Sequence, residues 1–242
     1  RAVRLTAAAA AVFAVFQGTT LLLDGAGAVT AVLGEAVVAA VVAVLTRERF
    51  PLVAGMVLGA LGVLAGFEHA PPPAAFPYLV GTGELARAAG IAGLVLVLAV
   101  AVLVGCGRVG WVRPDAASAR LWAPIGLVGL HGAGTLVVAL ALLVDPDRAG
   151  FTAGHAVVTV SWAVGALVLL ARGIRRPALR VTGLVLVGAA VAKLVLFDLV
   201  ALDGVARVGA FLGAGLLLLA AGTRYARLVA EAGARQGEVP GR

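Results

Sequence analysis

Residues 88–104 read AAGIAGLVLVLAVAVLV, seventeen positions with no charge, no proline and no side-chain hydrogen-bonding group. An open strand would leave its backbone groups unsatisfied in lipid, and barrel strands alternate rather than run apolar throughout. The stretch therefore reads as a helix that crosses a membrane. Runs of the same character fall at 5–23, 28–45, 52–67, 121–144, 153–171, 181–200 and 208–223. Together they predict an all-α, polytopic transmembrane helical bundle of about eight spans. Of the 242 residues 62% are apolar, and the 33 glycines raise the membrane-compatible share to about three quarters, against roughly half in a soluble domain. Eight spans of about 20 residues leave no room for a sizeable soluble domain. Residues 1–228 read as a single transmembrane domain, and 229–242 as a polar, disordered cytoplasmic tail.

The charges orient the bundle, because cytoplasmic loops retain Lys and Arg. Eighteen Arg and one Lys stand against 12 acids. In the eight-span arrangement fifteen arginines fall on one side and only Arg87, Arg148 and Arg207 on the other, which places both termini in the cytoplasm. Orientation accounts for the basic balance, so no nucleic-acid partner is called for. The opposite loops carry Asp24, Glu68, Glu84, Asp145, Asp147 and Asp203. Arg1 to Phe16 has the outline of a signal peptide, but no small-residue cleavage site follows, and Arg1 and Arg4 match the orientation of every later loop. It reads as a first span. The missing initiator Met suggests a piece of a longer protein, with further transmembrane segments or subunits as partners.

The third span has only about 16 apolar residues. Its two small-xxx-small steps, Gly55/Gly59 and Gly62/Gly66, suit close helix contact, as do Gly209 and Gly213 in the eighth. Between the third and fourth spans, Pro71, Pro72, Pro73 and Pro77 with Phe76 and Tyr78 predict a stiff loop at headgroup level. Trp111 and Trp122 are placed to anchor an interface.

Chemical motifs are sparse. Gly105, Gly107 and Gly110 have dinucleotide-loop spacing, but a membrane helix precedes them where a strand is required, so they read as a helix exit. Asp145-Pro146-Asp147 reads as a turn. Glu68, His69 and Glu84 lack metal-ligand spacing, and the lone Cys106 excludes an intrachain disulfide. No cofactor or metal is expected. Arg172, Arg175, Arg176 and Arg180 form the densest cationic cluster and suit anionic lipid headgroups. His155, Trp162, Asp198 and Arg207 read as packing or interface residues.

Polar residues inside spans carry the functional expectation. Glu35 and Lys193 each lie about seven residues from an outer span end, roughly 10 Å deep. Gln17 belongs to the same layer, and His131 lies near the middle of the fifth span. These four are candidates for a substrate or ion path. Ala31 and Ala39 flank Glu35, and Ala189 and Ala190 flank Lys193, so both ions stand on small-residue faces and are expected to pair.

Ser161-Trp162-Ala163, Gly173, Leu179-Arg180 with Gly183, Lys193-Leu194, Asp198-Leu199, Arg207-Val208, Phe211, Gly215 and Tyr225 resemble the C-terminal end of bacterial membrane proteins grouped as domain of unknown function 2339. The resemblance covers about 65 residues. It implies an integral protein of the bacterial inner membrane, and typically a longer chain with more spans. It brings no established activity and therefore no catalytic residue. Three functions remain in play: a solute or lipid-precursor transporter with a polar site in the outer half of the bundle, a non-catalytic membrane scaffold or envelope-assembly component, and a lipid-linked sugar or acyl transferase using Asp24, Asp145 and Asp147. The last lacks a recognisable base, nucleophile or metal set, so an enzyme is the weakest of the three.

Overall fold

The computed structural model describes residues 2–73, 81–112, 119–173 and 177–195, and then 204, 207–209, 211–213, 215–216, 219–220, 222–223, 226–227 and 230. Phe76, Tyr78, Arg175, Arg176, Asp198 and the tail from 231 onward lie outside the described residues. Among the described residues seven continuous α-helices follow one another: α1 Ala2–Leu22, α2 Gly25–Thr46, α3 Arg49–Gly66, α4 Thr82–Arg108, α5 Ala119–Val144, α6 Arg148–Arg172 and α7 Pro177–Lys193. Every described residue from 207 to 230 is helical too, and no strand occurs among the described residues. The fold is all-α. The first six helices are long and apolar enough to cross a membrane, and α7 has 17 residues.

Helices outrun the apolar stretches that announce them. The run 88–104 sits inside α4, which spans 27 residues and takes in Glu84, Arg87 and Arg108. Lipid selects the apolar centre, whereas the backbone ladder continues until a turn stops it. Here Gly110 does so at φ 78°, the helix exit expected of that glycine cluster.

The chain divides into two compact units, residues 1–113 with 120–154 and residues 114–119 with 155–242. In the first unit α2 packs against both α3 and α4. Its buried face is the stripe Val29, Val32, Leu33, Ala36, Ala40 and Ala43, which recurs every three or four residues, with Val32 and Leu33 side by side, as one helix side requires. Small residues at 36 and 40 let α3 approach backbone to backbone, and the four α3 glycines, Gly55, Gly59, Gly62 and Gly66, are all buried. A Cβ on Gly62 would meet Leu33 of α2, and one on Gly59 would meet Leu98 of α4. The short third span is thus a close-packed helix, as its glycines predict. By contrast, none of the membrane window of α1 is buried.

In the second unit the glycines again mark the contact, with Gly165 of α6 against Leu186 and Gly183 of α7 against Leu170. Gly209 and Gly213 differ from expectation: no described atom lies within 4 Å of where their Cβ would stand.

Candidate functional site

The length of α3 creates a polar concavity in the first unit. At Gly66, the last residue of α3, a Cβ would touch Val29 of α2 at 3.5 Å and Ile91 of α4 at 3.6 Å. Helix α2 begins at Gly25 and α4 at Thr82, so α4 continues nine residues past that level, roughly 13 Å of helix. The chain leaving α3 turns across this step, with the amides of His69 and Ala70 donating to the Gly66 carbonyl at 3.0 and 2.8 Å. The result is an open cleft of about 710 Å³ lined by Asp24, Gly25, Ala26, Gly27, Glu68, His69, Pro71, Glu84, Arg87 and Ala88.

Two helices begin at this cleft, and the positive ends of their dipoles favour acids. Asp24 is the N-cap of α2 and Glu84 lies in the first turn of α4. Arg87 follows Glu84 by three residues, so the two share one helix side. Three carboxylates, a guanidinium and an imidazole therefore line one wall system, an arrangement able to bind a small solute bearing charges of both signs. Glu68, His69 and Glu84 do meet at one cleft, yet among the described residues no three His, Cys, Asp or Glu side chains gather to hold a metal ion.

Behind the cleft stands His131. Its ring lies against Phe67, centroids 5.1 Å apart and tilted by 51°. Its Nδ1 is 3.5 Å from the hydroxyl of Thr135, which donates to the Pro71 carbonyl at 3.1 Å. Thr135 is fully buried, so this bond ties α5 to a wall of the cleft.

Glu35 and Lys193 each take partners within their own unit. Glu35 sits at the midpoint of α2. Its Oε1 accepts from the hydroxyl of Thr19 on α1, and its Oε2 is buried with no hydrogen-bond partner among the described residues. Gln17 is exposed; two residues along α1, Thr19 faces the other way and makes the contact. Lys193 closes α7 and reaches α6, where Nζ donates to Thr159 Oγ1 at 2.7 Å and to the His155 carbonyl at 3.2 Å. His155 and Thr159 are both buried, and the Thr159 hydroxyl itself donates to the His155 carbonyl at 3.1 Å. Trp162 and Arg207 are half-buried, while Arg172 and Arg180 are exposed.

Sequence reasoning missed three threonines, Thr19, Thr135 and Thr159. Their signal was a lone hydroxyl in an apolar helix. A hydroxyl so placed ordinarily satisfies itself on the carbonyl four residues back, which makes it look like filler.

No curated protein and no solved structure matches this chain. The family of predicted membrane proteins DUF2339 matches residues 1–228, which carries the resemblance of the C-terminal 65 residues through nearly the whole chain. The apolar helices and this match together make it a membrane protein, and the chain belongs to the DUF2339 family of predicted membrane proteins.

Proposed function

We propose that this protein is a transporter of a small polar solute, entered through the cleft between α2, α3 and α4. The observation that carries this reading is the cleft itself, which brings Asp24, Glu68, His69, Glu84 and Arg87 to one 710 Å³ concavity. Among the path candidates, His131 is tied to it through Thr135 and Pro71. In proteoliposomes, at least one of glycine betaine, arginine and spermidine is expected to accumulate, and Glu84→Gln or Arg87→Ala to reduce uptake severalfold. If none of the three moves, the scaffold reading takes its place. That second reading has its own support in Lys193, which joins α6 to α7 as a register-fixing contact would.

We further propose a bacterial inner-membrane location, with eight spans, residues 1–228 as the membrane domain and both termini cytoplasmic. The fifteen-to-three arginine split supports this orientation, and it turns the cleft outward. Cys106 is buried, at 3% exposure, so a topology test needs thiols placed elsewhere. In a Cys106→Ser background, an impermeant maleimide should label Thr82→Cys in intact cells and leave Arg49→Cys unlabelled until membranes are opened. Both parent positions are exposed. The reverse pattern would invert the orientation.

A further inference from the structure

A second concavity of the first unit has a different chemistry. Between α1 and the α2–α3 pair runs a groove of about 580 Å³. Eleven of its lining residues are apolar, among them Val12 of α1, Ala39 of α2 and Phe50 of α3, and the other two are Glu35 and Glu48. Neither Arg47 nor Arg49, which flank Glu48 in the chain, lines it. Glu48 stands in the connection between α2 and α3, and Glu35 at mid-helix, so the two acids are separated by roughly 16 to 20 Å along α2. One marks the mouth and the other the apolar interior.

A carboxylate halfway along an apolar groove is unfavourable for an acyl chain lying there, and a membrane protein retains such a group where it has a polar partner. Glu35 has one partner for two oxygens. Thr19 satisfies Oε1, and Oε2 is buried without a hydrogen bond among the described residues. The helix that carries Thr19 contributes no buried residue from its membrane window. A helix so lightly packed is able to move at small cost. The volume, the apolar lining and the few convergent polar groups match a small-molecule site, and the sign of those groups selects a cation.

We propose that this groove binds an amphipathic organic cation, a phosphonium or quaternary ammonium with apolar substituents, whose charge pairs with Glu35 when α1 releases the Thr19 contact. Glu48 draws the cation to the mouth, and the Phe50 ring adds a cation–π surface there. The site is separate from the polar cleft and stands or falls independently of the transporter reading.

The test uses the full chain in phosphatidylcholine nanodiscs, with tetraphenylphosphonium as probe and neutral triphenylphosphine oxide as control, both followed by calorimetry. Saturable binding of the cation alone is expected. Glu35→Gln should weaken it at least about tenfold, close to 1.4 kcal/mol. Glu35→Asp should retain it. Thr19→Val should tighten it, because the competing hydroxyl is gone. Ala39→Phe, which narrows the groove without touching a charge, should also weaken binding, and this variant decides the matter if Glu35→Gln does not fold. Glu84→Gln and Arg87→Ala should leave it unchanged. No saturable binding, equal binding of the neutral control, or wild-type affinity retained in the Glu35→Gln and Ala39→Phe proteins would overturn the proposal.

Discussion

A Gly55→Leu chain is expected to lose nearly all of its folded yield, and even Gly55→Ala to lower stability by about 1–3 kcal/mol, the range of an overpacked contact. The cause is what a Cβ would meet. At Gly55 it would stand 2.9 Å from the Ala36 carbonyl oxygen and 3.0 Å from the Ala40 amide nitrogen, both backbone atoms of α2. Neither can rotate aside, so the two helices must separate along the stripe that holds the first unit together. Gly59 makes the internal control. Its nearest neighbour is the Leu98 Cδ2 methyl at 2.6 Å, the far end of a side chain with other rotamers open to it. Gly59→Ala should therefore cost less than about 1 kcal/mol. Thermal midpoints in one detergent give the ranking. Equal losses at the two positions would mean that α3 does not ride on the α2 backbone.

Thr159→Val should destabilise by about 1.5–3 kcal/mol, the range for a hydrogen bond to a charged group. Valine keeps the shape and removes the oxygen that accepts from Lys193 Nζ at 2.7 Å, in surroundings that expose only 1% of residue 159. Thr159→Ser restores the acceptor and should recover most of the loss. Lys193→Met removes the charge itself together with its need for an acceptor, so its effect should be milder than that of Thr159→Val. In the double variant the two effects should fall short of their sum by more than about 0.5 kcal/mol. Additivity within that margin would show that the contact carries no energy.

Helix positions were legible in the sequence because lipid writes them directly as apolar runs, and even the short 52–67 stretch corresponds to α3, Arg49–Gly66. Small-xxx-small spacing identified its contact face for the same reason: a bare ridge is useful only against a neighbour. The cleft was legible only in pieces. Asp24, Glu68 and Glu84 stood out as acids, but their convergence depends on where Gly66 stops relative to Val29 and Ile91, a three-body comparison that no single stretch contains. Partner choice was harder still. Gln17 was the conspicuous polar residue of α1, yet Thr19 meets Glu35, because a change of two residues reverses the side of a helix.

The step at the end of α3 also has a consequence for how such a site could diverge. Its depth is a matter of arithmetic between neighbouring rods, and no one side chain creates it. Substitutions along the walls alter what the hollow prefers and leave the hollow in place. Inserting one turn at the end of α3 would instead raise the floor by about 5.4 Å and bring the turn that carries His69 toward the level of Glu84 and Arg87. Insertions and deletions near residue 66 are thus the mutations that would open or close this chamber, and a comparison of loop and helix lengths among relatives would reveal its presence better than residue identity does.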